Sequence, residues 1–576
     1  MTYPLDEARD GIISSLKTTL TKLNYDIDIK LETPPEEKMG DFAFACFSLA
    51  PTAKKSPQNI AEDVAKNIPK CNWIKNVEAK GGYINFFLDD KHLANSTLQS
   101  ILKKKEQYGH LDKKHKKVIV EHTSANPNGP LHVGRARNPI IGDTIVRIFK
   151  TAGYDVESQF YLDDMGKQVA ILAWGVNNID AKKIPSSKYK KPDHETVGFY
   201  QMASKLMEKD KKVEGEIASI VKKSEGGDSE TIELVHSAYS PVLEGINESM
   251  KSINITIDNY VPESKFVKDK SVDDVVKKLK QSEHCDNEEG AFYLDMEPFG
   301  IKGRSTKFFF TRKDNTTLYA TRDVAYHLWK AKHADMLVNI LGEDHKLESK
   351  QVETALKIIG AGLIPQVIFY SFVSLPGGKM STRKARVVYL DELIDECIER
   401  AYKEVKKRRG DDLSEQKMKK IAEIVGTGAL RYNIIKVQPE KDIVFKWEDA
   451  LNFEGNAAPF IQYAHARACS ILAKKEGINK DMGASLLTHS SEIQLIKKLA
   501  QMPIVVDKAC SGCRPHSIAM YVYETASQFN QFYRDCPVLP EKNKKLRNAR
   551  LALVDATRIV LKNGLDLLGI TAPEEM

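Results

Sequence analysis

The chain has 576 residues, 42% hydrophobic and 29% charged, and 86 Lys and Arg against 79 Asp and Glu give a formal charge of +7. That length predicts three or four domains, and the composition predicts real cores under a well-solvated surface. No apolar run approaches the roughly 18 residues a membrane span needs, and Met1-Thr-Tyr-Pro-Leu-Asp6 has no basic and apolar leader layout. Eight scattered cysteines form no disulfide framework. A reduced, cytoplasmic protein with no membrane partner is therefore expected. Cys510-Ser-Gly-Cys513 lacks a second pair or a His pair nearby, so it reads as two helix cysteines, and no protein-bound metal is expected. The small positive excess does not by itself diagnose nucleic acid, although the clusters Lys103–Lys105, Lys113–Lys117 and Lys406–Arg409 could lie beside phosphates.

In chain order, residues 1–95 read as a small α/β unit with an amphipathic helix over Ala8–Leu23 and strands over Phe42–Leu49 and Gly82–Leu88. A lysine-rich link follows. Over 115–395 the alternation of strand and helix predicts a parallel, doubly wound sheet: strand Val118–Glu121, helix Gly134–Gly153, strand Val156–Leu162, helix Asp164–Asn178. The alternation lapses over about 180–300, as an insertion would make it. It resumes with strand Lys307–Thr311, a helix from Arg322, strand Met336–Leu341, a helix from Lys346 and strand Val367–Leu375. Residues 396–452 read as a helical connector and 453–576 as an all-helical domain. The fold class expected is α/β, a Rossmann-type catalytic domain between a small α/β domain and an all-α domain.

Two loops carry chemistry. Asn126-Pro-Asn-Gly-Pro-Leu-His-Val-Gly-Arg135 lies between a strand and a helix, where unpaired N–H groups and the dipole welcome anions. His132 there can donate to a phosphoryl oxygen, and Gly134 leaves room for a flat base against the backbone. Gly378-Lys-Met-Ser-Thr-Arg383 follows another strand, at the end where ligands bind in such sheets. Its cations could hold a leaving pyrophosphate as it forms.

Together these loops resemble the two ATP-handling motifs of class I aminoacyl-tRNA synthetases. Asp163-Asp-Met-Gly-Lys-Gln168, Leu318-Tyr-Ala-Thr-Arg-Asp323, Leu341-Gly-Glu-Asp-His345, Lys379-Met-Ser-Thr-Arg-Lys384, the stretch Phe453–Arg467 and the tail Leu567–Met576 narrow the resemblance to arginyl-tRNA synthetases, in an archaeal-like form. The resemblance covers essentially the whole chain. It implies an arginine–tRNA ligase with arginine, Mg-ATP and tRNA as its partners, active as a monomer, with activation dependent on tRNA. It implies catalysis by His132, Lys379, Arg135 and Arg383, with ATP held by His132, Gly134, Arg135, Lys379, Met380 and Ser381. Arginine would be held by Glu121, Asn126, Tyr319 and Asp323. Tyr319 and Asp323, spaced by four, would share a helix face, and a carboxylate can accept two parallel bonds from a guanidinium.

The resemblance also places Tyr83 and Asn85 against the tRNA elbow, where an ordinary strand is the competing reading. Tyr463, His465 and Arg467 are RNA-facing candidates on a helix that could equally pack them inward. Two departures stand out: Arg135 replaces the second His of the first motif, and Thr382 replaces a lysine of the second. In some relatives a lysine just before the first motif compensates, and here that place holds Gly129. The alternatives are a non-catalytic tRNA-binding paralogue and a nucleotidyl transferase that needs no RNA. The helical C-terminal domain speaks against the latter.

Overall fold

Val118, Ile119 and Val120 are all fully buried, the mark of a central parallel strand covered on both faces. The computed structural model describes residues 2–25, 27–303, 306–374, 388–410, 412–474 and 483–576. The central sheet has five parallel strands: β1 (Lys117–Glu121), β2 (Asp155–Leu162), β3 (Asn259–Pro262), β4 (Met336–Gly342) and β5 (Gln366–Tyr370), in the order β5-β4-β1-β2-β3. Strand order therefore reverses between β1 and β4, where a doubly wound sheet opens its ligand crevice.

Two elements differ from the sequence expectation. Asn259–Pro262 lies within the stretch read as an insertion, yet it pairs in parallel with β2 and forms the sheet edge. It is short and ends in Pro262, so periodicity hardly marks it. Conversely, Lys307–Phe309 does not belong to the parallel sheet. It pairs antiparallel with Ala291–Asp295, which pairs with Cys285–Glu288 in a separate three-stranded sheet. A short apolar run signals a strand without saying which sheet receives it.

Helix α1 (Arg137–Thr151) follows β1 and is buried along nearly its whole length, as its mostly apolar sequence requires. It starts after a 3₁₀ turn at Val133–Arg135, slightly later than the sequence suggests. Arg137 anchors its first turn: Nη1 donates to the carbonyls of Ser371 (2.7 Å) and Lys441 (2.6 Å), and Nη2 to that of Gln438 (2.7 Å).

The N-terminal residues form a four-stranded antiparallel sheet in the order Leu31–Glu32, Phe42–Ala45, Tyr83–Leu88, Ile74–Lys80, with helices Pro4–Lys22 and Pro57–Asn67. The strand at Phe42 stops at Ala45, and Phe47–Leu49 turns as a 3₁₀ segment. From Leu390 onward the described elements are helical apart from Ile443–Val444, which pairs in parallel with Val373–Ser374.

The last helix, Lys544–Leu567, returns the chain to α1. There Arg431, 1% exposed, donates to Asp143 of α1 (2.5 Å), to the Leu568 carbonyl (2.8 Å) and to the Ile253 carbonyl (2.8 Å). Arg431→Met takes this partner from Asp143 and a donor from each of the two carbonyls. Breaking a buried pair costs about 3–5 kcal/mol, so a clear fall in Tm is expected in a thermal melt, with Arg147, already 2.8 Å from Asp143, as the remaining partner.

Candidate active site

The loop after β1 crosses the strand-order reversal. Thr123 and Ser124 take left-handed backbone conformations, φ 71° and 36°. The Thr123 N–H donates to Asn138 Oδ1 (2.7 Å), and Asn138 Nδ2 donates to the Ile340 carbonyl of β4 (3.0 Å). The loop is thereby tied to the start of α1 and to the neighbouring strand. Asn126 is half-buried on it, and its carbonyl accepts the Asn128 N–H at 2.9 Å. A Cβ at Gly129 would come within 2.6 Å of Val197 Cγ2, so the helix Pro192–Lys209 sits close against this turn.

His132 and Arg135 are both exposed at the mouth of the crevice, while Gly134 between them is buried. Partial burial of the ring, then the charge of Arg135, holds His132 below its ordinary pKa. A neutral imidazole still has one N–H to offer an anion. Residues Val388–Leu390 lie against the same loop. The Val133 N–H donates to the Val388 carbonyl (3.0 Å), the Leu390 N–H donates to the Leu131 carbonyl (2.7 Å), and the rings of His132 and Tyr389 lie 5.8 Å apart. Lys379, Met380, Ser381 and Arg383 themselves lie outside the described residues.

Tyr319 and Asp323 share one face of α2 (Tyr319–Ala331), the helix that leads into β4. Tyr319 is the more exposed, and hydrogen bonding to Glu348, with burial second, raises its hydroxyl to about 12. Asp323 is held below its usual range: burial pushes it up, but His327, Lys330 and His345 together outweigh that. Glu121, at the end of β1, is buried and not free. Its Oε2 accepts from Lys330 Nζ at 2.7 Å and its Oε1 from Ser124 Oγ at 3.2 Å. A carboxylate has about four acceptor positions, so capacity remains.

Sequence reasoning missed Lys330, His327, Asn339, Glu348 and the buried pair Arg322–Glu263. The spacing of Asp323, His327 and Lys330 by four and three along one helix face was the available signal. Beside Tyr319 opens a cavity of about 600 Å³, lined among others by Asp163, Gln168, Glu225, Arg312 and Arg322. Burial pushes Glu263 well above its usual range, with Arg322 opposing.

Among the described residues one group could hold a metal ion: Asp193, His194 and Asp391. Lys191 Nζ sits 2.8 Å from Asp391 Oδ1 and 3.7 Å from Asp193 Oδ2, so the cation of this cluster is the chain's own lysine. Cys510 and Cys513 are buried free thiols, pushed up to about 12 and about 11 by burial.

Two surfaces suit an extended partner. Tyr83 is exposed and meets Phe47 edge-on at 5.1 Å, but Asn85 is only 8% exposed. In the helical domain a cavity of about 1020 Å³ is lined by Arg408, Arg409, Tyr463, Arg467, Tyr533 and Met576, among others. Arg467 lies over Tyr463 (4.7 Å) and Tyr533 (5.3 Å). His465 is not on that surface: it is 1% exposed, and its Nδ1 lies 2.8 Å from the Pro573 carbonyl.

A doubly wound sheet with a His-bearing loop at its reversal point and a helical C-terminal domain mark the fold of a class I tRNA synthetase. The family model for the catalytic domain of class I tRNA synthetases (R) matches residues 97–447, that for the arginyl tRNA synthetase N-terminal domain 7–88, and that for the DALR anticodon-binding domain 461–576. The arginine–tRNA ligase of Methanocella arvoryzae is 48% identical over 530 residues, 92% of each chain. That of Methanococcus maripaludis is 41% identical over 572 residues, 98% of this chain and 99% of its own. The structure of the Thermus thermophilus arginyl-tRNA synthetase superposes with a TM-score of 0.82 at 27% identity, covering 98% of this chain and 99% of its own. The chain belongs to the arginyl-tRNA synthetase family.

Proposed function

We propose that the protein is an arginine–tRNA ligase acting in two steps. The carboxylate oxygen of arginine attacks the α-phosphorus of ATP, delivered as its magnesium complex, and the bond to the β-phosphate breaks to release pyrophosphate. A hydroxyl of the terminal tRNA ribose then attacks the carbonyl of the adenylate and AMP leaves. No protein nucleophile is required, so the chain contributes positioning and electrostatics. His132 faces the developing phosphoryl charge with Arg135 beside it, and Lys379 and Arg383 assist from the second loop. Gly134, Met380 and Ser381 complete the ATP site. Asp323 and Tyr319 take the guanidinium, and Asn126 and Glu121 the end bearing the α-amino and carboxylate groups.

The observation that carries this reading is the run of contacts from Glu121 at the end of β1 through Lys330 and His327 to Asp323, beside the strand-order reversal and next to the loop, bearing His132, that follows β1. Tyr83 and Asn85 are assigned to the tRNA elbow; Asn85 would need to uncover to reach a base. The units 1–95, 115–395, 396–452 and 453–576 divide elbow contact, catalysis, connection and anticodon contact. Among the described residues no helix is long and apolar enough to cross a membrane, and we assign the protein to the cytoplasm as a monomer.

Activation is assigned as tRNA-dependent. The support is Arg431, which joins the end of the helical domain to the helix behind His132. ATP–pyrophosphate exchange with arginine, run with and without tRNA for arginine, tests both assignments. Exchange only with tRNA is expected. Exchange without it keeps the ligase and discards the coupling, and no exchange in either case, with tRNA still bound, returns the tRNA-binding paralogue.

A further inference from the structure

Lys330 is 0% exposed, one turn of α2 beyond His327. An ammonium has three protons and accepts nothing, and here each proton has its own acceptor. Nζ lies 2.7 Å from Glu121 Oε2, 3.1 Å from Asn339 Oδ1 and 3.2 Å from His327 Nε2. It also lies over the Tyr326 ring at 4.1 Å. Because the lysine only donates, Asn339 must turn its oxygen toward it. That aims Asn339 Nδ2 at His327 Nε2, 2.8 Å away. With donors on two sides, Nε2 is the acceptor nitrogen, and the ring proton belongs on Nδ1. Nδ1 faces Asp323, 2.8 Å from its carbonyl and 3.1 Å from Oδ1.

From this geometry we propose that Lys330 is a positioning and specificity residue for the arginine pocket, acting at both ends. It cancels the charge of Glu121, and through Asn339 and His327 it keeps an N–H on Nδ1 against Asp323, whose backbone carbonyl accepts it at 2.8 Å while Oδ1 lies 3.1 Å away, so that both carboxylate oxygens keep acceptor positions for a guanidinium. The inference rests on the arginine-pocket reading above. It explains why a pocket for a cation contains a second buried cation: without Lys330, two carboxylates would compete for the guanidinium, and the N–H against Asp323 would no longer be fixed. Metal-binding histidines are held in one tautomer by the same kind of partner.

The test is steady-state aminoacylation with the full chain and tRNA. Lys330→Met should raise the KM for arginine by roughly 30-fold or more, as truncating one partner of a buried hydrogen-bonded charge pair does. The KM for ATP should stay within about threefold, because only binding of the amino acid has changed. A general loosening of the core would move both. In ¹⁵N-histidine-labelled protein, His327 should carry its proton on Nδ1, and Lys330→Met should shift protonation toward Nε2. If Lys330→Met does not fold, His327 decides. His327→Asn keeps a donor near the Nδ1 position and His327→Leu does not, so His327→Leu should have the clearly higher KM for arginine. Equal KM values for those two variants, or a folded Lys330→Met with an unchanged KM, overturn the proposal. If Asp323→Ala alone raises the KM, the pocket stands and the relay falls; if none of these variants moves it, the pocket reading fails.

Discussion

Asp323→Ala raises the arginine concentration needed for half-maximal aminoacylation by roughly 30- to 4,000-fold, while the protein stays folded. The size follows from removing one partner of a buried, hydrogen-bonded charge pair, which costs about 2–5 kcal/mol at roughly 1.4 kcal/mol per tenfold. The guanidinium would lose the carboxylate assigned to receive its two parallel N–H bonds. The fold is spared because the Asp323 side chain is a third exposed and faces the crevice, and α2 packs through Ala320, Val324, Ala325 and Tyr326 instead. Steady-state kinetics with arginine varied, beside a thermal melt, measures both halves. An unchanged KM would remove Asp323 from the site. The same chemistry accounts for specificity: lysine lacks the planar fork and citrulline the charge. A site built around such bonds rejects analogues by up to about 10⁴-fold without a separate editing step.

His132→Ala is expected to lower kcat for activation by about 10²- to 10³-fold, the cost of removing one donor aimed at developing charge. Affinity for tRNA should not change, since His132 is assigned to ATP and both candidate RNA surfaces are elsewhere. The ring is exposed, and the neighbouring backbone is held independently by the Val388 and Leu390 hydrogen bonds, so the loop keeps its course without it. Pyrophosphate exchange and a filter-binding measurement of tRNA affinity separate the two effects. Loss of both would make His132 a structural residue. A wild-type chain with no exchange to lose would be the non-catalytic paralogue. The low proton affinity of His132 adds a sign: its neutral form predominates at neutral pH, so it acts as a hydrogen-bond donor there, and Arg135 supplies the nearby positive charge.

Much of this was legible in the residues themselves. Short apolar runs such as Val118–Val120 announce covered strands because a strand buried on both faces cannot alternate. The motif around His132 announces an anion site because a strand, a turn and a helix start put unpaired N–H groups in one place. Tyr319 and Asp323 announce a shared face because four residues make about one helical turn. Each of these signals is local, and local geometry follows from local sequence.

The rest depended on which distant segments meet. Asn259–Pro262 escapes a local reading for that reason: it becomes a sheet edge only because β2 lies open beside it. Lys307–Phe309 reads as the same kind of strand and joins a different sheet. His465 looks like an RNA-facing residue until the tail folds back and Pro573 covers it. Lys330 is the clearest case. In sequence it is one lysine among many, ordinarily assigned to solvent. In the fold its three protons meet Glu121, Asn339 and His327, carried by two strands and its own helix. Motif and periodicity were enough for the family, most of the order of elements and the residues expected to face ATP and arginine. Which charges are already answered inside the protein emerged with the packed chain alone, because a buried charge is settled by its neighbours, and Glu121 reaches Lys330 from more than two hundred residues away.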